Sequence, residues 1–168
     1  MLTVLTQKCN TFSQDFYDRI VNSINFFSVS CRCGHTGCLT RHGYYKRSFR
    51  YKSRKYTIFV LRVKCSHCGH THAVLLSIMV PYSQIPLEDQ ISVIDAFESG
   101  GDIMSVTEEN YLIEPQEVYN IVHKYIKFWK QRLLSEAIKL TESITRDCYA
   151  AFSMQFMQIR WGPGILIS

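Results

Sequence analysis

Acidic residues are missing from the middle of the first half of the chain, because residues 20–86 contain no Asp or Glu. Residues 1–87 hold twelve Lys and Arg residues against two acids, whereas residues 88–168 hold seven against twelve. A basic face that only contacts solvent is the alternative explanation, but such faces usually carry both signs. The absence of acids therefore indicates a polyanion partner for the first half, and the charge split predicts two modules.

Long apolar runs are also missing. No segment reaches the roughly 18 apolar residues of a membrane span, and the first residues lack the basic cluster and apolar run of a secretory signal. We therefore expect a cytoplasmic protein without a membrane partner. In that compartment the seven cysteines are better explained by metal binding than by disulfides.

Two short cysteine pairs flank the basic segment. Cys65 and Cys68, followed by Gly69, have the two-residue spacing of a zinc knuckle, whereas a single residue separates Cys31 from Cys33. The segment between the pairs is long enough for a β-hairpin and its turn. Four thiolates complete a tetrahedral zinc shell, so we predict one structural Zn²⁺ per chain bound by these four cysteines.

Other ligands lie nearby in the sequence. Cys38, five positions after Cys33, is the alternative to Cys31 as the fourth ligand. The neighbouring histidines are kept outside the metal set, because an isolated His is more often a surface or hydrogen-bonding residue. Cys9 and Cys148 have no partner in sequence and are interpreted as buried or incidental. No Glu lies near the cysteines to act as a base, so we expect a structural metal and no enzymatic activity.

The segment between the cysteine pairs interleaves cations with aromatic residues. Its β-propensity predicts strands at 44–45, 49–51 and 56–63. Cations neutralise phosphates and release counterions, while the aromatic residues either pack the hairpin, which we favour, or stack on bases. The predicted phosphate contacts are Arg41, Lys46, Arg47, Arg50, Lys52, Arg54, Lys55, Arg62 and Lys64.

The chain as a whole is predicted to be α+β, with a small β-rich zinc ribbon followed by an all-α helix-turn-helix-like bundle. The predicted parts are a lead-in helix in residues 1–30, the ribbon in 31–80, the helical domain in 86–140 and a tail without predicted role in 141–168. Helices at 87–99, 102–110 and 115–140 suit a helix-turn-helix, whose third helix would enter the major groove. Its predicted DNA contacts are Gln116, Asn120 and Lys124, although the acidic charge of this half disfavours tight binding.

A family resemblance is carried by the segments CRCGHTGCLTRHGYYKRSFR, LRVKCSHCGHTHAVL and VPYSQIPLEDQ. Residues 29–135 resemble small bacterial zinc-ribbon proteins related to the amino-terminal zinc-ribbon and helix-turn-helix region of insertion-sequence transposases. In that resemblance the ligand positions fall on Cys31, Cys33, Cys65 and Cys68, although the first pair is one residue shorter than usual. The α/β domain that carries the transposase acids has no counterpart here.

The resemblance implies a zinc-dependent, transposon-associated DNA-binding protein without a catalytic core. It would act as a transposase accessory or as a regulator derived from one, in a bacterial mobile element. Its implied partners are DNA, with RNA also open, and a transposase, an integrase or a second copy of the chain, but no small-molecule substrate. The alternative prediction is a zinc-ribbon interaction module whose acidic helical half docks a protein partner.

Overall fold

The sheet dominates the amino-terminal half of the protein. The computed structural model describes residues 1–6 and 11–159, and the backbone of residues 165–167. The strands are β1 (Leu2–Val4), β2 (Leu39–Tyr51), β3 (Arg54–Cys65), β4 (Thr71–Leu76) and β5 (Ile165–Ile167). They lie in the order β2-β3-β4-β1-β5, with β2, β3 and β4 antiparallel and β1 parallel to both β4 and β5. Together with the helices that follow, this sheet confirms the α+β class.

Strands β2 and β3 form a long hairpin between the cysteine pairs. Lys52 and Ser53, both with positive φ, make the two-residue turn that suits the twist of a tight hairpin. Gly43, at a φ of 152°, marks an irregularity where the register shifts from Arg41. Because successive strand residues face opposite sides of a sheet, Tyr44 and Tyr45 lie on different faces of the hairpin.

The lead-in segment is less helical than expected. Helix α1 (Gln14–Asn22) begins after Ser13, whose hydroxyl accepts from the Phe16 N–H at 3.1 Å. Before it lies strand β1, and after it a 3-10 helix (Phe26–Ser28). A three-residue strand has too few positions to show a periodicity, which explains why the predicted helix over residues 1–30 missed it.

The helical half follows the predicted order. It contains α2 (Leu87–Glu98), α3 (Ser105–Glu109), α4 (Pro115–Phe128), α5 (Lys130–Ser135) and α6 (Ile144–Phe152). The third predicted helix is interrupted at Trp129, which leaves helical geometry and lies fully buried with its indole N–H donating to the Gln158 carbonyl at 3.1 Å. No helix in the described part of the chain is long and apolar enough to cross a bilayer.

Buried apolar side chains form two clusters. One contains residues up to Met79 in the sequence and the other begins at Val80, so the division lies beside the predicted boundary at residues 80–86. Polar contacts join them. The buried Gln155 donates to the Ser77 carbonyl at 2.9 Å and accepts from the Thr3 hydroxyl at 3.1 Å. The segment predicted to be a tail without a role therefore supplies part of the second core.

Asp89, in the first turn of α2, accepts from the Asn110 amide at 2.9 Å, and burial raises its pKa to about 6. A raised pKa in the folded state means that stability present at low pH is lost as the pH rises between about 4 and 6. We expect Asp89→Asn, which can still accept from Asn110, to be more stable than the wild type by about 2 kcal/mol near pH 7. The two proteins should have similar stability near pH 4, as measured by urea unfolding.

The matched control is Glu88→Gln, which removes a negative charge from the same turn. If Glu88→Gln gained as much stability near pH 7, repulsion between the carboxylates of Glu88 and Asp89, rather than the burial of Asp89, would be responsible.

Candidate metal centre

Four cysteine sulfurs meet at the base of the hairpin. Cys31 and Cys33 lie in the loop before β2, Cys65 ends β3, and Cys68 lies in the turn towards β4. The Sγ atoms are 3.6 Å apart for Cys31 and Cys68 and 3.8 Å apart for Cys33 and Cys65, and all four lie within 4.8 Å of one another. Tetrahedral zinc with Zn–S bonds of about 2.3 Å requires S···S separations of roughly 3.8 Å. The four thiols could therefore hold a metal ion.

One residue separates the cysteines of the first pair and two residues separate those of the second. A backbone hydrogen bond closes the turn in both pairs. In the first turn the Gly34 N–H donates to the Cys31 carbonyl at 2.9 Å, and in the second the Gly69 N–H donates to the Cys65 carbonyl at 3.0 Å. Both glycines have positive φ, 88° and 73°, which side-chain-bearing residues rarely adopt. The first turn is thus a tighter version of the second, so the irregular spacing is compatible with the site.

Backbone amides aim at the sulfurs. The Cys68 N–H lies 3.4 Å from Cys65 Sγ, and this hydrogen bond is the main reason that the pKa of the Cys65 thiol falls to about 6. The His35 N–H likewise lowers the pKa of Cys33. Donors directed at sulfur stabilise the thiolate, which is the form that binds metal.

Cys38, the alternative ligand, lies beside the centre but is oriented differently. It is buried, with its Sγ 3.3 Å from that of Cys65, and its thiol donates to the His35 carbonyl at 3.1 Å. Cys38 is not part of the mutually close group of four. The geometry therefore favours Cys31 over Cys38. Cys148 is buried, in agreement with its interpretation, whereas Cys9 lies outside the described residues.

His72 contacts the cysteine group through Cys31, and this role was not predicted from the sequence. Its Nε2 lies 3.3 Å from Cys31 Sγ, and its Nδ1 lies 3.0 Å from the amino group of Met1. Burial lowers its pKa to about 4, so the ring is neutral near pH 7. The tautomer protonated at Nε2 would donate to the sulfur and leave Nδ1 to accept from the amine, the arrangement found around metal-ligating groups. The sequence signal that could have identified this histidine is the strand-like segment THAVLL, in which His72 and Val74 are two positions apart and therefore share the inner face of β4.

A second group of ligand atoms shares Cys33. The imidazoles of His35 and His67 stack with ring centroids 3.4 Å apart, and His35 Nδ1 lies 3.6 Å from Cys33 Sγ. Both histidines are exposed. Four thiolates match the preference of zinc for soft ligands in closed structural sites, so the four-cysteine group remains the better candidate.

The predicted phosphate contacts divide into two groups. Arg47 and Arg50 face inwards. Arg47 donates to the Val80 and Ser83 carbonyls at 2.5 and 2.7 Å, and Arg50 donates to the Leu112 carbonyl at 2.5 Å and forms an ion pair with Glu117. The exposed group comprises Arg41, Lys46, Lys52, Arg54, Lys55, Arg62 and Lys64.

On α4 the predicted DNA contacts lie on the outer side. Gln116 and Asn120 are exposed and share a hydrogen bond of 3.5 Å, while Lys124 is half-buried. Glu117 is occupied by structural contacts, because it accepts from the Glu114 N–H at 3.0 Å within a capping box and pairs with Arg50. Contact of this helix with DNA remains a prediction.

Comparison with known proteins adds one finding. Residues 30–110 match a family described as a domain of unknown function (DUF6431). This span covers the four cysteines, the hairpin, α2 and α3. No curated protein and no solved structure matches the chain. The relation to transposase zinc ribbons therefore remains a prediction.

Proposed function

We propose that the protein binds nucleic acid through the β2–β3 hairpin, whose base is held by a structural zinc ion. The observation that carries this proposal is the exposure of seven cations on and beside one hairpin within a span, residues 20–86, that contains no acid. Such a surface gains affinity from phosphates by releasing their counterions. A two-stranded ribbon is also narrow enough to enter the major groove.

The zinc ion would be held by Cys31, Cys33, Cys65 and Cys68. Four thiolates leave no open coordination position, which supports a structural role without catalysis. The ion would join the loop before β2 to the end of β3, and so fix both ends of the hairpin. This arrangement places the charged strands on a rigid base.

Helix α4 supports the same proposal, because its amino-terminal end lies beside the hairpin tip. Arg50 pairs with Glu117, and the Tyr111 hydroxyl donates to the Ser53 carbonyl at 3.1 Å. The cations of the tip and the exposed Gln116 thus belong to neighbouring surfaces. The transposase resemblance makes the element ends of a mobile element the natural DNA target, with the protein acting as an accessory or as a derived regulator.

The affinity for a short labelled duplex is expected to fall steeply with salt, with a log–log slope of about −0.9 per phosphate contacted. Replacing both Arg54 and Lys55 by Ala should weaken binding about tenfold or more at low salt and make the slope shallower by about 2. Fluorescence anisotropy measures both quantities.

The control replaces Lys139 and Arg146 by Ala, which removes two exposed cations from the acidic half. Equal losses for both double variants would contradict a hairpin-centred site, and an affinity independent of salt would contradict nucleic-acid binding altogether.

A second candidate function is self-association through the helical half. Tyr119 and Ile126 on α4 are 56% and 49% exposed, and Leu134 on α5 is 64% exposed. Large apolar side chains at such exposure are typical of interaction surfaces when they are contiguous. Sedimentation equilibrium of the wild type and of Ile126→Glu tests this candidate, which a monomeric wild type would exclude.

A further inference from the structure

A cleft of about 650 Å³ opens on the face of the sheet that carries Tyr45 and Arg62. Its floor is formed by β2, β3 and β4, where Arg62 pairs in register with Ala73. Its opposite wall is the segment 81–84, in which Tyr82 is 75% exposed. The volume falls within the roughly 300–1,000 Å³ of typical ligand sites.

The wall of the cleft is held in place by the Arg47 side chain and the Arg50 backbone, both on β2. The Arg47 guanidinium donates to the carbonyls of Val80 and Ser83, and the backbone N–H of Arg50 donates to the Gln84 carbonyl at 2.9 Å. These bonds fix the segment on both sides of Tyr82. The cleft is therefore formed before any ligand arrives, which lowers the entropic cost of binding.

The lining combines aromatic rings with positive charge. The Arg62 guanidinium lies over one face of the Tyr45 ring, 6.0 Å from its centre, and Arg47 lies in the same lining. The described residues that line the cleft include no acid. An aromatic ring and a guanidinium held together suit a nucleobase and its phosphate, because bases stack on rings and on guanidinium planes and phosphates pair with arginine.

A base inside a duplex cannot present its face to such a ring, because both of its faces are covered by neighbouring base pairs. Stacking on protein side chains requires an unpaired base. The positive charge also continues beyond the cleft along β3, from Arg62 to the exposed Lys64. This continuity fits a polynucleotide strand better than a free nucleotide.

We propose that the cleft binds an unpaired nucleotide of a single-stranded nucleic acid, with the base against Tyr45 and a phosphate on Arg62. The inference rests on the proposed function and adds the class of ligand. It predicts that a single strand, or a duplex with a single-stranded end, binds better than a blunt duplex of the same length.

The test measures the anisotropy of a labelled oligothymidine and of a blunt duplex with the zinc-loaded full chain. Tyr45→Ala and Arg62→Ala should each weaken single-strand binding about tenfold, and Tyr45→Phe should restore it. The matched controls are Tyr44→Ala and Lys46→Ala, which lie on the other face of the hairpin. They should change single-strand binding less than the cleft variants do.

Measurements of metal content and of urea unfolding show whether each variant is folded. If Tyr45→Ala does not fold, Arg62→Ala still tests the proposal, because Arg62 is exposed and its replacement should leave the fold intact. Equal effects of the cleft and control variants would overturn the cleft while leaving nucleic-acid binding intact. Unlabelled thymidine monophosphate is added as a competitor of the labelled oligothymidine. If it displaced the label fully at the concentration at which unlabelled oligothymidine does so, a free nucleotide would suffice and the assignment to a strand would be overturned. A wild type that binds neither probe would instead refute the proposed function itself.

Discussion

The Cys31→Ser protein is expected to purify without metal, whereas Cys38→Ser is expected to keep one zinc per chain. Cys31 Sγ belongs to the group of four sulfurs that match a tetrahedral shell, while the Cys38 thiol donates to a carbonyl. Structural zinc contributes an apparent binding free energy of about 10–16 kcal/mol in zinc-finger peptides. We therefore expect loss of the metal to unfold much of residues 31–76. Elemental analysis and hydrogen exchange measure the two effects.

Serine replaces only the sulfur atom of cysteine by oxygen, so the three Cys→Ser variants carry the same chemical change and differ in whether the sulfur lies in the group of four. Cys148→Ser, in the second core, controls for the loss of a buried thiol. The opposite pattern, with metal retained in Cys31→Ser and lost in Cys38→Ser, would make Cys38 the ligand. Metal retained in all three variants would move the site to the group formed by Cys33, His35 and His67.

Arg50→Ala is expected to destabilise the protein by about 2–4 kcal/mol, because it leaves the carboxylate of Glu117 without its partner. The two side chains are only 13% and 27% exposed, so water replaces the lost contacts poorly. Arg50 also donates to the Leu112 carbonyl, which joins the hairpin to the segment before α4. Chemical denaturation gives the change in the free energy of unfolding.

Arg54→Ala is the matched control, since Arg54 is an exposed arginine of the same hairpin, and its expected effect is within about 0.5 kcal/mol. A double-mutant cycle with Glu117→Gln then separates the ion pair from the carbonyl contact. A stability change no larger than that of Arg54→Ala would show that Arg50 is a surface cation. In that case Arg50 would return to the predicted phosphate contacts.

The features that short local signals mark could be predicted from the sequence. The cysteine–glycine pairs at 33–34 and 68–69 located the candidate metal centre, and the β-rich segment between them located the hairpin. Helices α2 and α3 were predicted within a few residues, because Pro86 and the Gly100–Gly101 pair mark their ends. These signals are local, so they survive without knowledge of the tertiary structure.

The parts that the sequence did not show depend on contacts between distant residues. Arg47 and Arg50 have the same local sequence context as the exposed cations. They differ only because groups in the segments 80–84 and 112–117 accept hydrogen bonds from their guanidinium groups. The interruption at Trp129 has the same origin, because a helical apolar stripe continues through it while burial of the indole selects another backbone. The support of Cys31 by His72 likewise joins residues that are 41 positions apart.

Strand β1 lies between β4 and β5, so the interior of the sheet contains residues from both extremes of the described chain. Leu2 pairs with Val74 on one side and with Ile165 on the other. Val74 is 72 positions from Leu2 in the sequence, whereas Ile165 is 163 positions away. Until β5 pairs with β1, the edge of β1 is open, and such an edge can pair with other chains. Completion of the sheet therefore depends on a contact of very long sequence separation, which slows folding.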